Sequence, residues 1–347
     1  MTHLKPNIAA TVAVACFAAA VASAQSPATS AVEAERANQQ QQRQLTQPLN
    51  NQPVWSEVRS GAPQTTTVVG RETNVLIQPE GQTWRTLRNS ELSVYGGWAL
   101  VAMVLIIAAF YSTKGTLELH APPTGRKIRR FSLWERTIHW STAISFVILA
   151  VSGLIILFGK NLLLPLIGYT LFSWLAFLAK GLHNFVGPLF IVCIVLLLAT
   201  FIRYNVPRAY DWQWIKHFGG LFSGRDVPSG RFNAGEKAWF WGGAMFLGAI
   251  VGVTGLILDF PNFNQTRSTM QIANVIHLIG ASCFMLGALG HIYMGTLGMR
   301  GAFDAMRYGY VDETWAREHH EYWYNDIKSG RIPADATQEP PLTERVA

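Results

Sequence analysis

The sequence predicts an all-α integral membrane protein, a bundle of four helices with one additional N-terminal transmembrane helix. Two observations carry this. Half of the 347 residues are hydrophobic and only 14% are charged. The apolar residues gather into runs at about 94–112, 138–158, 183–202, 238–258 and 272–297, each near the 20 or so residues that a helix needs to span a bilayer. The cations fall between the runs. Lys114, Arg126, Lys127, Arg129, Arg130 and Arg136 precede the second run, and Arg203, Arg208, Lys216, Arg225, Arg231 and Lys237 precede the fourth. The opposite loops carry only Lys160, Lys180 and Arg267. This is the positive-inside pattern. It accounts for the net charge of +7 and excludes nucleic acid as a partner.

The elements follow in order. Residues 1–24 read as a cleaved signal peptide: Lys5, an apolar stretch from Ile8, then Ala22-Ser23-Ala24 before Gln25. Residues 25–93 are rich in Gln, Asn, Ser, Thr, Ala and Pro. Such a segment buries too little apolar surface to offset its ordering entropy, so a largely disordered periplasmic tail is expected. Within it Thr65–Val69 and Asn74–Gln78 have β-forming residues that could pair on a partner. The extra transmembrane helix is 94–112, the bundle is 128–298, and 299–347 is a cytoplasmic C-terminal tail. The protein is expected to be multi-pass in the bacterial inner membrane, in contact with lipid. Residues 161–179 are also apolar, but a span there would place the cations of 203–237 outside. Pro165, Gly168 and Tyr169 interrupt the run, and an interfacial or re-entrant segment on the outer face is expected.

Cysteine chemistry is sparse. Cys16 lies in the signal, Cys193 and Cys283 lie in apolar runs, and no CxxC exists, which argues against iron–sulfur and structural zinc sites. Redox chemistry would need a group held by other ligands.

Four histidines, His139, His183, His277 and His291, stand in the apolar runs. Ionisable residues there are costly and by default functional. Alone, each could be a neutral imidazole bonded to a neighbouring helix. His277 and His291 are 14 residues apart on one helix, which places them on one face, roughly 21 Å apart along the axis. The topology puts His183 and His277 toward the outer face and His139 and His291 toward the inner face. Two facing imidazoles at each depth are what six-coordinate haem iron takes as axial ligands. No carboxylates accompany them, which argues against di-iron or catalytic zinc. Small residues let flat groups and helices approach. Gly153 lies 14 residues after His139, where the edge of the outer haem is expected; Gly187, Gly280, Gly287 and Gly290 flank the other ligands.

At these residues the chain resembles the γ, or cytochrome b556-type, subunit of membrane-bound formate dehydrogenase, over about 128–328. The landmarks are Arg136-Thr137-Ile138-His139-Trp140, Gly181-Leu182-His183-Asn184-Phe185-Val186-Gly187, Arg231-Phe232-Asn233-Ala234-Gly235-Glu236-Lys237, Val275-Ile276-His277, Gly290-His291-Ile292-Tyr293-Met294 and Trp315-Ala316-Arg317-Glu318-His319-His320. The resemblance implies a four-helix haem bundle with two haem b groups, paired as depth pairs them. It also implies a quinone pocket beside the inner haem, with Asn233, Gly235 and His291. From the residues alone Asn233 reads as a helix N-cap, and Glu236 as a solvated loop carboxylate.

The resemblance further implies the partners, an iron–sulfur β subunit and a molybdenum or tungsten catalytic α subunit that oxidises formate outside. This chain would then be the electron-transfer and quinone-reducing subunit, with quinone as acceptor. A dihaem subunit of a hydrogenase or another molybdoenzyme is the near alternative, and a haem-free membrane anchor for an exported partner is the alternative of another class. A transporter is disfavoured by the lack of an internal repeat. His319 and His320 are read as a solvated pair on a charged, aromatic tail.

Overall fold

The computed structural model describes residues 35–42, 52–61, 80–220, 224 and 226–332. The signal, the β-forming segments at 65–69 and 74–78, and residues 333–347 lie outside them. Two compact units result, one drawn from residues 1–90 with Asn264–Gln271, the other from Glu91–Phe263 with the chain from Ile272 onward. In the first unit the described part of the expected tail is mainly helical, at 35–42, Gln52–Ser60 and Glu80–Thr86.

Five helices are long and apolar enough to cross a membrane: Glu80–Lys114, Leu133–Leu162, Leu164–Tyr204, Ala234–Asp259 and Arg267–Gly298. The first starts well ahead of residue 94. We label its regular part α1 (Ser93–Lys114), followed by α2 (Leu133–Leu162), α3 (Leu164–Phe201), the short α4 (Ala209–Lys216), α5 (Ala234–Asp259) and α6 (Arg267–Tyr293). Phe185, Val195, Phe246 and Val253 on these helices are exposed. Lipid is a suitable solvent for such outward faces.

Local chemistry sets the helix starts. Ser132 and Glu135 form a capping box on α2, with Glu135 N–H donating to Ser132 Oγ at 3.2 Å and Ser132 N–H to Glu135 Oε2 at 2.8 Å. Asn233 and Glu236 repeat it at the start of α5, at 2.9 and 2.8 Å. The N-cap reading of Asn233 therefore holds.

The run 161–179 differs from expectation. It forms neither a re-entrant loop nor a span of its own. Only Leu163 separates α2 from α3, and the run is the first half of α3. Gly168 alone leaves helical geometry, at φ 75° and ψ 171°, where the lack of a Cβ permits a positive φ. Pro165 sits in the first turn of α3, a position that tolerates its missing N–H. Pro165 and Gly168 thus mark the start of α3 and a kink four residues into it.

Side-chain contacts give the register. Thr142 of α2 faces Cys193 of α3, and Ser152 faces His183, so these helices are antiparallel. Gly248 and Gly252 of α5 lie against Ile194 and Ile191 of α3. On α6, His277 meets Thr254 of α5, and His291 meets Trp239. α1 runs parallel to α6, from Gly96 at Ser282 to Phe110 and Tyr111 at Tyr293. Parallel first and last spans are what five crossings require.

The bundle end that carries the start of α2 and the end of α6 is capped. Helices α7 (Ala302–Arg307), α8 (Glu313–His319) and α9 (Glu321–Lys328) fold there, and strand β1 (Lys127–Arg129) pairs antiparallel with β2 (Tyr310–Asp312). Arg130 is buried beneath Phe131, Phe232 and Trp315, with its Nη2 donating to Glu236 at 2.8 Å and to the Arg231 carbonyl at 3.0 Å. Burial pushes the Arg130 pKa down, and the Glu236 carboxylate works against that shift. Arg231 in turn reaches Glu135 at 2.9 Å. Glu236 is thus a capping and ion-pairing residue, not a solvated one.

His319 and His320 also depart from expectation. His320 is 1% exposed, and its Nδ1 donates to the Gly230 carbonyl at 2.7 Å. Burial holds its pKa well below the usual histidine value. His319 has a buried Nε2 with no hydrogen-bond partner among the described residues. The tail from residue 299 folds back over the loop at 229–230 and encloses this pair.

Candidate functional site

The four histidines come together as two pairs. His183 of α3 and His277 of α6 face each other with ring centroids 6.1 Å apart and planes at 74°. His139 of α2 and His291 of α6 do so at 6.3 Å and 57°. The pairing by depth is the one expected from topology.

The spacing within each pair is informative. A metal–imidazole bond is about 2 Å, and each nitrogen stands about 1.1 Å from its ring centre, so imidazoles on opposite sides of one ion have centroids roughly 6.3 Å apart. Both pairs match that distance. Directly hydrogen-bonded or stacked imidazoles would sit closer.

The two sites are built differently. In the first, His183 Nδ1 lies 2.9 Å from Ser152 Oγ, and His277 Nδ1 lies 3.0 Å from Thr254 Oγ1. In the second, His139 keeps a buried Nδ1 with no hydrogen-bond partner among the described residues. Trp140 meets the His139 ring edge-on at 5.5 Å, and Trp239 stacks on His291 at 5.1 Å and 15°. Gly287 makes room for Trp239, since a Cβ there would stand 2.6 Å from the indole.

Between the depths sit Phe146, Phe190 and Phe284, with centroids 4.6 to 6.3 Å apart. Each stands seven residues from a histidine on its own helix: Phe146 after His139, Phe190 after His183, and Phe284 midway between His277 and His291. Seven residues are close to two helical turns, about 10.5 Å, so the three rings share the histidine-bearing faces and close the bundle between the pairs.

The glycines sort by role. Gly153 faces the His183 ring, with a Cβ position 3.2 Å from its Cε1, so it admits the imidazole where a porphyrin edge was expected. Gly255 does the same for His277 at 3.4 Å. A Cβ on Gly187 would meet nothing within 4 Å, whereas Gly280 and Gly290 pack against α5 and α1.

The expected quinone residues are only partly assembled. Glu236, in the turn with Asn233 and Gly235, is close enough to His291 to act on it electrostatically. Asn233 Oδ1 is engaged by the Glu236 N–H, and the Trp214 indole covers Gly235, 2.6 Å from a Cβ built there. The two described cavities, of about 570 and 380 Å³, lie beside this turn and share Arg203, Tyr204 and Arg231. Asn233, Gly235 and His291 line neither of them. Ser152, Thr254, Trp239 and the phenylalanine trio escaped the sequence reading. The signal for the trio was the seven-residue offset. For the two hydroxyl residues it was a Ser-Gly and a Thr-Gly pair inside apolar runs.

Comparison with known proteins bears on these pairs. The profile of a family described as prokaryotic cytochrome b561 matches residues 130–309, a stretch that holds all four histidines. The chain belongs to the prokaryotic cytochrome b561 family. It is a membrane cytochrome b, and its relatives are those the resemblance implied. The cytochrome b556(fdo) subunit of Escherichia coli formate dehydrogenase is 31% identical over 205 residues, 58% of this chain and 93% of that protein. The nitrate-inducible cytochrome b556(Fdn) subunit of the same species is 25% identical over 224 residues, 61% of this chain and 97% of that protein. The Haemophilus influenzae formate dehydrogenase cytochrome b556 subunit is 27% identical over 224 residues, 61% of this chain and 89% of that protein. The match to the cytochrome b561 family implies haem b. The paired imidazoles and their spacing fit that group.

Proposed function

We propose that the chain is the cytochrome b subunit of a formate dehydrogenase, with His183 and His277 holding an outer haem b and His139 and His291 an inner one. The observation that carries this reading is the pair of imidazole separations, 6.1 and 6.3 Å, each suited to one iron. When bound, the two groups supply one-electron transfer, from an exported iron–sulfur partner at the outer pair to quinone at the inner pair. The chain's own residues do the rest. The histidines fix the two depths. Phe146, Phe190 and Phe284 keep water from the space between them. Asn233 and Gly235, next to Glu236 and His291, form the turn that quinone would approach once the Trp214 indole swings aside.

The cation-rich loops support an inner location for the capped end and an exported N-terminal segment. Protons for quinone would then come from the cytoplasmic side and electrons from outside. The relatives' names place them in formate dehydrogenases, and the partners on this reading are those the sequence resemblance implies, an iron–sulfur β subunit and a molybdenum or tungsten α subunit.

The test uses the complex purified with its native partners. His183→Ala or His277→Ala is expected to halt formate-driven quinone reduction while formate oxidation by artificial acceptors continues. Wild-type quinone reduction in either variant contradicts the assignment. A complex in which hydrogen, and not formate, reduces the haem absorbance would move the chain to a hydrogenase.

A further inference from the structure

We propose that Ser152 and Thr254 are positioning residues for the outer histidine pair, each accepting the Nδ1–H of the imidazole it faces. They fix the tautomer that leaves Nε2 free for iron and hold the ring plane. The inference rests on the haem reading of the four histidines.

Proton accounting decides the direction of these hydrogen bonds. A serine or threonine hydroxyl has one proton to give. Ser152 directs it to the Ile148 carbonyl at 2.7 Å, and Thr254 to the Ile250 carbonyl at 2.6 Å. Toward the ring nitrogen each hydroxyl oxygen therefore accepts. Each hydroxyl also faces a second carbonyl, Leu149 at 3.2 Å for Ser152 and Val251 at 3.4 Å for Thr254, and a carbonyl only accepts. On both counts Nδ1 is the protonated nitrogen and Nε2 carries the lone pair.

The arrangement occurs twice. Ser152 is on α2 and Thr254 on α5, and neither helix carries an outer histidine. Each brace therefore reaches across the bundle. Each hydroxyl residue is followed by a glycine that lets its helix approach the same ring, Gly153 at His183 and Gly255 at His277. A hydroxyl that only satisfied itself on its own helix would need the carbonyl four residues back and nothing more. It would not need to meet an imidazole nitrogen at 2.9 to 3.0 Å with a glycine beside it. The described residues give His139 no such partner. Outer-shell acceptors of this kind set ligand orientation and raise ligand basicity. A more basic imidazole favours the oxidised iron, so the braces hold the outer potential down.

The experiment is a redox titration of haem absorbance and ferric low-spin EPR on membranes carrying the full chain with its partners. Ser152→Ala and Thr254→Val are each expected to retain two haems, raise one midpoint potential and displace one low-spin signal, leaving the other haem unmoved. Ser152→Thr and Thr254→Ser are expected to keep wild-type values. Loss of one haem from the hydroxyl-free variants, with retention in the conservative ones, also supports the braces. Unchanged potentials and signals in the hydroxyl-free variants overturn the proposal. So do equal shifts, or equal haem loss, in the conservative variants, which would make the effect one of packing. Wild-type membranes without haem in this chain overturn the haem reading itself, a distinct outcome.

Discussion

The outer and inner histidine pairs are nearly equal in spacing and opposite in support. His183 and His277 lean on two hydroxyls deep in apolar helices. His139 and His291 lean on indoles, under a loop knitted by Arg130, Glu236, Arg231 and Glu135. Hydroxyl support fixes a ring by direction, through one hydrogen bond. Stacking fixes a ring plane but specifies no proton. A site meant only to pass electrons gains from the first. On the proposed function, quinone would react beside the second pair, and stacking there would leave room for it. The two depths thus differ in the chemistry of their walls, not in their ligands.

The comparison can be broken most severely at Glu236. Glu236→Gln leaves the buried Arg130 guanidinium without its anion; with the Glu236 side chain 33% exposed and the Arg231 carbonyl still in place, the cost is about 1–3 kcal/mol. Thermal unfolding is expected to shift down, with the inner haem lost first on heating. Loss of the outer haem first would mean that the Arg130 network serves the whole bundle.

Trp239→Leu removes the stack on His291, worth about 1 kcal/mol. The inner haem's spectrum is expected to shift while the outer signal stays, and the reverse would misplace the pairs.

The mildest effect is with pH. The His320 pKa is lowered in the fold, chiefly by burial and next by the Arg130 charge. The unfolded chain therefore binds a proton more readily, and His320's contribution is intact above about 6.5 and lost as pH falls below it. Hydrogen-exchange protection across 313–328, corrected for the pH dependence of intrinsic exchange, is expected to fall at pH 5.5 relative to 7.5, with His320→Gln flattening the difference. An equal pH response in that variant would remove His320 from the account.

The spans and the four ligand candidates were legible because both depend on one-dimensional quantities, run length and the angle per residue. The N-cap at Asn233 was legible for the same reason. The misread residues depend on what the chain folds against. His320 looked solvated because a charged tail usually is, yet its burial comes from a loop some 90 residues earlier. Arg130 counted as a topology signal, though it is a buried structural cation. Gly153 was placed in depth, but its contact with the His183 ring was not legible, since helix angle gives a face and not the neighbour across it. Ser152 and Thr254 were passed over despite the glycine that follows each, because a hydroxyl in a membrane helix has its own backbone to bond, and only packing shows the second partner.

The central claim is that each imidazole pair holds one haem. It is tested most directly by a pyridine haemochrome count on the purified wild-type chain and on the His183→Ala and His291→Ala variants. The account predicts two haems per wild-type chain and one in each variant, with the two variants differing in the native spectrum recorded before pyridine is added. Two haems retained in either variant, or none in the wild type, would contradict it.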